Sequence, residues 1–246
     1  MDIYTQSIRT GGESIYNRFG NSNVCFLDIE TTGLSPRYSI IYLIGLVEFN
    51  KENDNWCLTQ IFANTLDEEK ELLERFNVLI HNFDTIITYN GDTFDIPFVK
   101  YRDRRHNIKS MISNANSFDL YRKIRDNRTF LDLKNLKLKT VERSLGIHRE
   151  DKYSGKDCID FYYRYIDTKK EELKERILAH NYYDLYYLID VMKIIDSIDH
   201  IKNICIPVSG KNLCMNIENL DIYGDSLRIV CNILDSNFHV NIAHYG

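Results

Sequence analysis

The apolar positions of the chain fall into two rhythms. Residues 24–29 form a short, nearly continuous apolar run closed by Thr-Thr-Gly and Ser35–Pro36, the pattern of a buried strand that ends in a turn. Residues 40–50 and 55–63 read as two more strands, with 51–54 as a hairpin turn between them. Over 67–82 the spacing changes. Leu72, Leu73, Phe76, Leu79 and Ile80 follow the i, i+3/i+4 rule of an amphipathic helix. A fourth strand is predicted at 84–89, a helix at about 94–105 and a short fifth strand at 117–120. From there to about residue 198 the pattern is mostly helical, and residues 1–23 are a polar lead-in. Three strands, a helix, and then alternating strands and helices predict an α/β fold. Its mixed five-stranded sheet is flanked by helices, antiparallel first and parallel later. Beyond about residue 200 the rhythm becomes short alternating runs at 204–208, 213–217, 226–234 and 239–243. The organisation expected is one domain over 1–200 and a small antiparallel β appendage over 201–246.

Composition narrows the class. With 43% hydrophobic and 27% charged residues the chain is globular rather than disordered. The longest apolar run, 40–47, is far short of the roughly 20 residues of a membrane span. The first residues carry no basic and apolar leader pattern, so no signal peptide is expected. Six cysteines at 25, 57, 158, 205, 214 and 231 form no C-x-x-C pair and read as scattered reduced thiols of a cytoplasmic protein. The net charge of −5 conceals an asymmetry. Residues 100–143 hold 13 Lys and Arg against 5 Asp and Glu, a local +8, which leaves −13 on the remainder. Basic residues interleaved with Tyr101, Phe118, Tyr121 and Phe130 suit single-stranded nucleic acid, with cations on phosphates and rings under bases. Solvated helix faces are the plainer explanation of the same charges.

Three segments could carry chemistry. Asp28 and Glu30 stand at the C-terminal end of an apolar strand, two residues apart and so on one face, with no Lys or Arg within six residues. Such close like charges require a cation, unless they are ordinary acids at a solvated strand end. Tyr89 to Asp95 repeats the arrangement, a strand end and turn leading to an acid at a helix start, where a simple cap is the alternative. His180 and Asp184 share a helix face at i, i+4, and Asp184 falls on the apolar stripe of Ile177, Leu188 and Val191. Tyr186 and Asp190 form a weaker rival pair, with Asp190 expected to face solvent. Clustered carboxylates without cysteine select hard cations, Mg²⁺ or Mn²⁺. Two such ions can clamp the attacking and leaving oxygens of a phosphodiester, and a nearby His can deprotonate water.

These segments resemble motifs Exo I, II and III of the DnaQ-like (DEDD) 3′–5′ exonucleases. Asp-Ile-Glu-Thr-Thr-Gly-Leu at 28–34 matches the first closely, and Asn90 with Phe94–Asp95 matches the second. The text at 145–151 and the His-Asn-x-x-Asp-Leu of 180–185 are most similar to YprB-type ribonuclease H-like proteins of bacteria, and the resemblance covers about 22–198. It implies a ribonuclease H-like fold and a metal-dependent 3′–5′ exonuclease acting on the 3′ end of single-stranded DNA or RNA with two divalent cations. Asp28, Glu30 and Asp184 would hold the first metal; Asp28 would bridge to a second, with Asp95 contributing. Thr31 and Leu34 would contact the terminal nucleotide, Asn90 would position substrate, and His180 would be the general base. The third motif departs from both family patterns, which place His five or Tyr four residues before the metal Asp; here His stands at four. Lys139 and Arg149 are the phosphate contacts expected from the basic segment and its flank. Two other functions fit the same fold: a non-catalytic nucleic-acid-binding module, and an endonuclease.

Overall fold

In a computed structural model, residues 1–10, 15, 17–20, 22–149, 152–208 and 211–234 are described. The body is a six-stranded mixed sheet in the order β1-β4-β3-β2-β5-β6. Its strands are β1 (Asp2–Thr10), β2 (Val24–Thr31), β3 (Ile41–Asn50), β4 (Asn55–Phe62), β5 (Thr85–Thr88) and β6 (Asn116–Asp119). Strands β1 to β4 pair antiparallel; β5 lies parallel to β2, and β6 parallel to β5. The expected α/β architecture is therefore present, with one strand more than the hydrophobic pattern predicts. That strand, β1, lies at the sheet edge with Ile3 and Tyr4 exposed, so no inward face imposes a period-two pattern on its sequence.

Helices α1 (Glu69–Ile80), α2 (Asp95–Arg105), α3 (Leu120–Asp126), α4 (Leu138–Ser144), α5 (Gly155–Thr168), α6 (Glu171–Val191) and α7 (Lys193–Lys202) cover the sheet. Strand β2 is buried on both faces. Cys25, Leu27 and Ile29 join a core built with α1, α2 and α5, while Val24 and Phe26 join a second core with α3, α6 and α7. The helical pattern expected to about residue 198 is divided at Met192, where α6 gives way to α7.

Residues 203–234 form a separate three-stranded antiparallel sheet of β7 (Asn203–Val208), β8 (Lys211–Tyr223) and β9 (Ser226–Ile233). Strand β8 continues well past the predicted end at 217, and the run at 239–243 lies outside the described residues. One expectation is corrected here. Cys205 and Cys214 are not reduced thiols but a disulfide, joining residues that face each other across β7 and β8. Cys25, Cys57, Cys158 and Cys231 are not disulfide-bonded.

Candidate active site

The site begins with a gap in the sheet. Asp28 on β2 lies opposite Gly45 on β3. A Cβ at Gly45 would overlap the Asn181 carboxamide and the Leu185 side chain. Lacking one, β3 lets α6 settle directly against the strand that carries the acids. Asn181, fully buried, donates from Nδ2 to Asp28 Oδ2 at 2.7 Å, and its own Oδ1 accepts from Gln60 Nε2 at 2.8 Å. The line from Gln60 through Asn181 to Asp28 thus fixes which way the first carboxylate points. Sequence reasoning gave no role to Gly45, Gln60 or Asn181. Asn181 stood in the His-Asn-x-x-Asp-Leu text of 180–185, which was the signal that could have found it.

The other acids converge from three directions. Glu30 is buried, and His180 Nε2 lies 3.7 Å from its Oε1 and 3.8 Å from Asp184 Oδ2. Asp95, buried in the first turn of α2, accepts from the Ile29 backbone N–H at 3.2 Å, between the two acids of β2. Burial pushes the Asp95 carboxyl up to about 7, and the charges of Asp119 and Asp184 add to the effect. The Asp28 carboxyl is held well above its ordinary value, first by the surrounding protein and then by Asp184, Glu30 and Asp95. Asp28 and Asp95, both raised by burial and by acidic neighbours, mark a place short of positive charge, and oxygen donors of this kind fit a hard divalent cation.

The positive charge that the fold does place there is Arg149. Its side chain is buried and reaches Asp184 through Nη1 and Glu142 through Nη2, the latter at 2.6 Å. The position is within the site, as the sequence indicated. However, Arg149 is not an open phosphate contact, because it is bound to an acid expected to hold metal. Glu142, almost fully buried on α4, was not foreseen; burial raises its carboxyl while Arg149 opposes the rise. Lys139 lies one turn before Glu142 and donates to the Tyr153 carbonyl at 3.3 Å.

The loops complete the rim. Thr31 is buried and donates to the Gly33 carbonyl at 2.8 Å, whereas Leu34 is 85% exposed and Tyr38 80% exposed. Asn90 takes a left-handed backbone conformation at φ 71°, and its N–H donates to Asp119 Oδ1 at 2.8 Å. Asp119 also accepts from the N–H groups of Asp92, Tyr121 and Arg122, which ties the turn after β5 to the start of α3. The rival pair resolves otherwise. Asp190 does not face open solvent: Arg9 of β1 grips it with two hydrogen bonds at 2.8 and 3.1 Å. Part of the basic segment is structural as well, since Arg102 is buried against Glu69 and the Pro36 carbonyl. A cavity of about 650 Å³ lies beyond Gln60 between β1 and α6, and none of the four carboxylates lines it.

Comparison with known proteins agrees with this architecture. YprB of Bacillus subtilis (strain 168), an uncharacterized protein, is 27% identical over 177 residues, 70% of this chain and 42% of YprB. DNA polymerase 1 of Sulfurisphaera ohwakuensis is 40% identical over 60 residues, 24% of this chain and 7% of the polymerase. The chain thus spans well under half the length of either relative. The family B DNA polymerase of Pyrobaculum calidifontis superimposes with a TM-score of 0.51 at 14% identity, over 72% of this chain and 25% of the polymerase, a likeness of fold. Residues 25–195 match RNase_H_2, and the chain belongs to the RNase H superfamily.

Proposed function

We propose that this chain is a 3′–5′ exonuclease that hydrolyses phosphodiester bonds of single-stranded nucleic acid with two divalent cations, Mg²⁺ or Mn²⁺. The observation that carries this reading is the gathering of acids around the end of β2: Asp95 accepts from the Ile29 N–H, His180 lies within 3.8 Å of both Glu30 and Asp184, and the charges of Asp184, Glu30 and Asp95 all act on Asp28. Asp28, Glu30 and Asp184 would hold one ion, and Asp28 with Asp95 the other. The bound ions would lower the pKa of a water and offset charge on the phosphate oxygens.

The remaining work falls to the chain. Asn181 keeps Asp28 pointed inward. His180, between Glu30 and Asp184, takes the proton of the attacking water. Exposed Leu34, at the end of the Thr31 turn, offers an apolar wedge against a terminal base. Asn90 orients the strand end from its left-handed turn. Lys139 and Arg149 would meet the phosphate charge. Arg149 becomes available to it once a cation replaces it on Asp184.

The test uses single-stranded DNA and RNA labelled at the 5′ end, with Mn²⁺. A ladder shortening stepwise from the 3′ end is expected, and Asp28→Asn should abolish it. Internal cuts would instead identify an endonuclease. Wild-type protein no more active than Asp28→Asn, yet binding oligonucleotides without metal, would identify a binding module.

A further inference from the structure

Cys158 has no place in the hydrolytic reading, yet the fold puts it at the centre of the site. Helix α5 starts at a capping box: Ser154 N–H donates to Asp157 Oδ2 at 2.8 Å, and Ser154 Oγ accepts from the Asp157 N–H. One residue further on, Cys158 turns into the core with no exposed surface. A sulfur of Cys158, a carboxylate oxygen of Glu30 and a ring nitrogen of His180 all lie within 4.8 Å of one another, and all three residues are buried. Tetrahedral zinc with ligands at about 2.0–2.3 Å separates its donors by roughly 3.3–3.8 Å. The His180 to Glu30 distance of 3.7 Å already falls in that range.

A second feature points to a ligand in the same place. Tyr42, fully buried, has a hydroxyl with no hydrogen-bond partner. After burial, Glu30 and then Cys158 are the groups that act most strongly on it, and its ring stacks on Tyr162 of α5 at 4.0 Å. A buried hydroxyl without a partner is destabilising, so its retention near Glu30 and Cys158 calls for a missing polar partner. A water on the fourth position of a bound ion would supply one.

We propose that Glu30, Cys158 and His180 form a site for a thiophilic divalent ion of the Zn²⁺ class, with Tyr42 hydrogen-bonded to the water that completes it. A thiolate excludes Mg²⁺, so this site is chemically distinct from the hard-cation site that shares Glu30 with it. On binding, the Cys158 thiol loses its proton to solvent and the sulfur takes the ion. Glu30 and His180 are then withdrawn from hydrolysis. This consequence rests on the nuclease reading; the site itself does not.

Co²⁺ is the probe, added to metal-free full-length protein without thiol reductants. The expected result is an intense sulfur-to-cobalt charge-transfer band, with the visible bands of a tetrahedral ion, that Zn²⁺ bleaches and excess Mg²⁺ does not. Cys158→Ala should lose the charge-transfer band. A cobalt spectrum without that band, or with a band that survives in Cys158→Ala, overturns the proposal. If Cys158→Ala fails to give a native circular dichroism spectrum, Cys158→Ser and His180→Ala carry the same comparison. In Mn²⁺-supported hydrolysis, Cys158→Ala should need at least about tenfold more Zn²⁺ for half-inhibition. A Cys158-dependent cobalt band in a protein that hydrolyses nothing would keep this site and discard the nuclease reading.

Discussion

The two sheets of this molecule solve the same problem in opposite ways. The six-stranded sheet is covered on both faces, and its central strand β2 is buried along nearly its whole length. The three-stranded sheet at the C-terminal end is covered little. Leu213 and Ile217 are buried, but Leu227, Ile229, Ile233 and Leu234 are each at least 45% exposed. The first sheet is held by packing; the second has the Cys205–Cys214 crosslink. Burial on two faces allows charged groups to be kept in a dry setting, where each strongly affects its neighbours. A thin sheet offers no such setting. Among the described residues, the carboxylates that shift one another gather in the first sheet and none in the second.

Substitutions should divide along the same line, global in the body and local in the tail. The largest effect on stability is expected from Arg149→Ala, which leaves Glu142 buried without its guanidinium. Breaking a buried pair of this kind costs about 3–5 kcal/mol. Urea unfolding should record the loss across the whole body, and a shift confined to one helix would contradict it. Next in size is a pH effect. The folded pKa of Asp95, about 7, lies above its ordinary 3.8, so the folded state holds that proton longer. The stability of the metal-free protein should therefore fall as pH rises from about 4 towards 7, by at most about 1.4 kcal/mol per pH unit from this group. Asp95→Asn should reduce the slope, as measured by melting temperature across that range.

Asn181→Ala should weaken Mn²⁺ binding about 10–100-fold by calorimetry, with the fold intact, because Asp28 loses its orienting donor. The smallest effect on the body is expected from the tail. Cys205→Ser with Cys214→Ser should destabilise β7 and β8 by up to about 3 kcal/mol. Hydrogen exchange should quicken there while the body is unchanged. A body that loosens as well would show that the two sheets are not independent.

The sequence made the body legible where two kinds of signal coincided. Strands β2 and β3 and helix α1 carry strong hydrophobic periodicity, and the acids of the site stand in motifs at their ends or on a neighbouring helix. Strand β1 was illegible because an exposed edge needs no alternation. The disulfide was illegible because spacing alone does not pair cysteines. Among the site residues, the supporting ones escaped notice. Gln60, Asn181 and Glu142 are polar residues whose importance comes from burial, and burial is a property of the assembled fold. Arg149, expected to meet a phosphate, is bound to Asp184 and Glu142 in this structure. A cation in a basic flank looks the same in sequence whether it meets a phosphate or the carboxylate beside it.

The hydrogen bond from Asn181 to Asp28 also bears on how the chain reaches its native state. It closes a loop of 153 residues, and the grip of Arg9 on Asp190 closes one of 181. Contacts so distant along the chain form late, after local helices and hairpins are in place. During synthesis β2 emerges well before α6, and until that helix docks over Gly45 its acids are merely two charges at the end of a strand. On the proposed function, the ability to hold a cation would arrive with the last steps of folding, and metal uptake would report that the body has been completed.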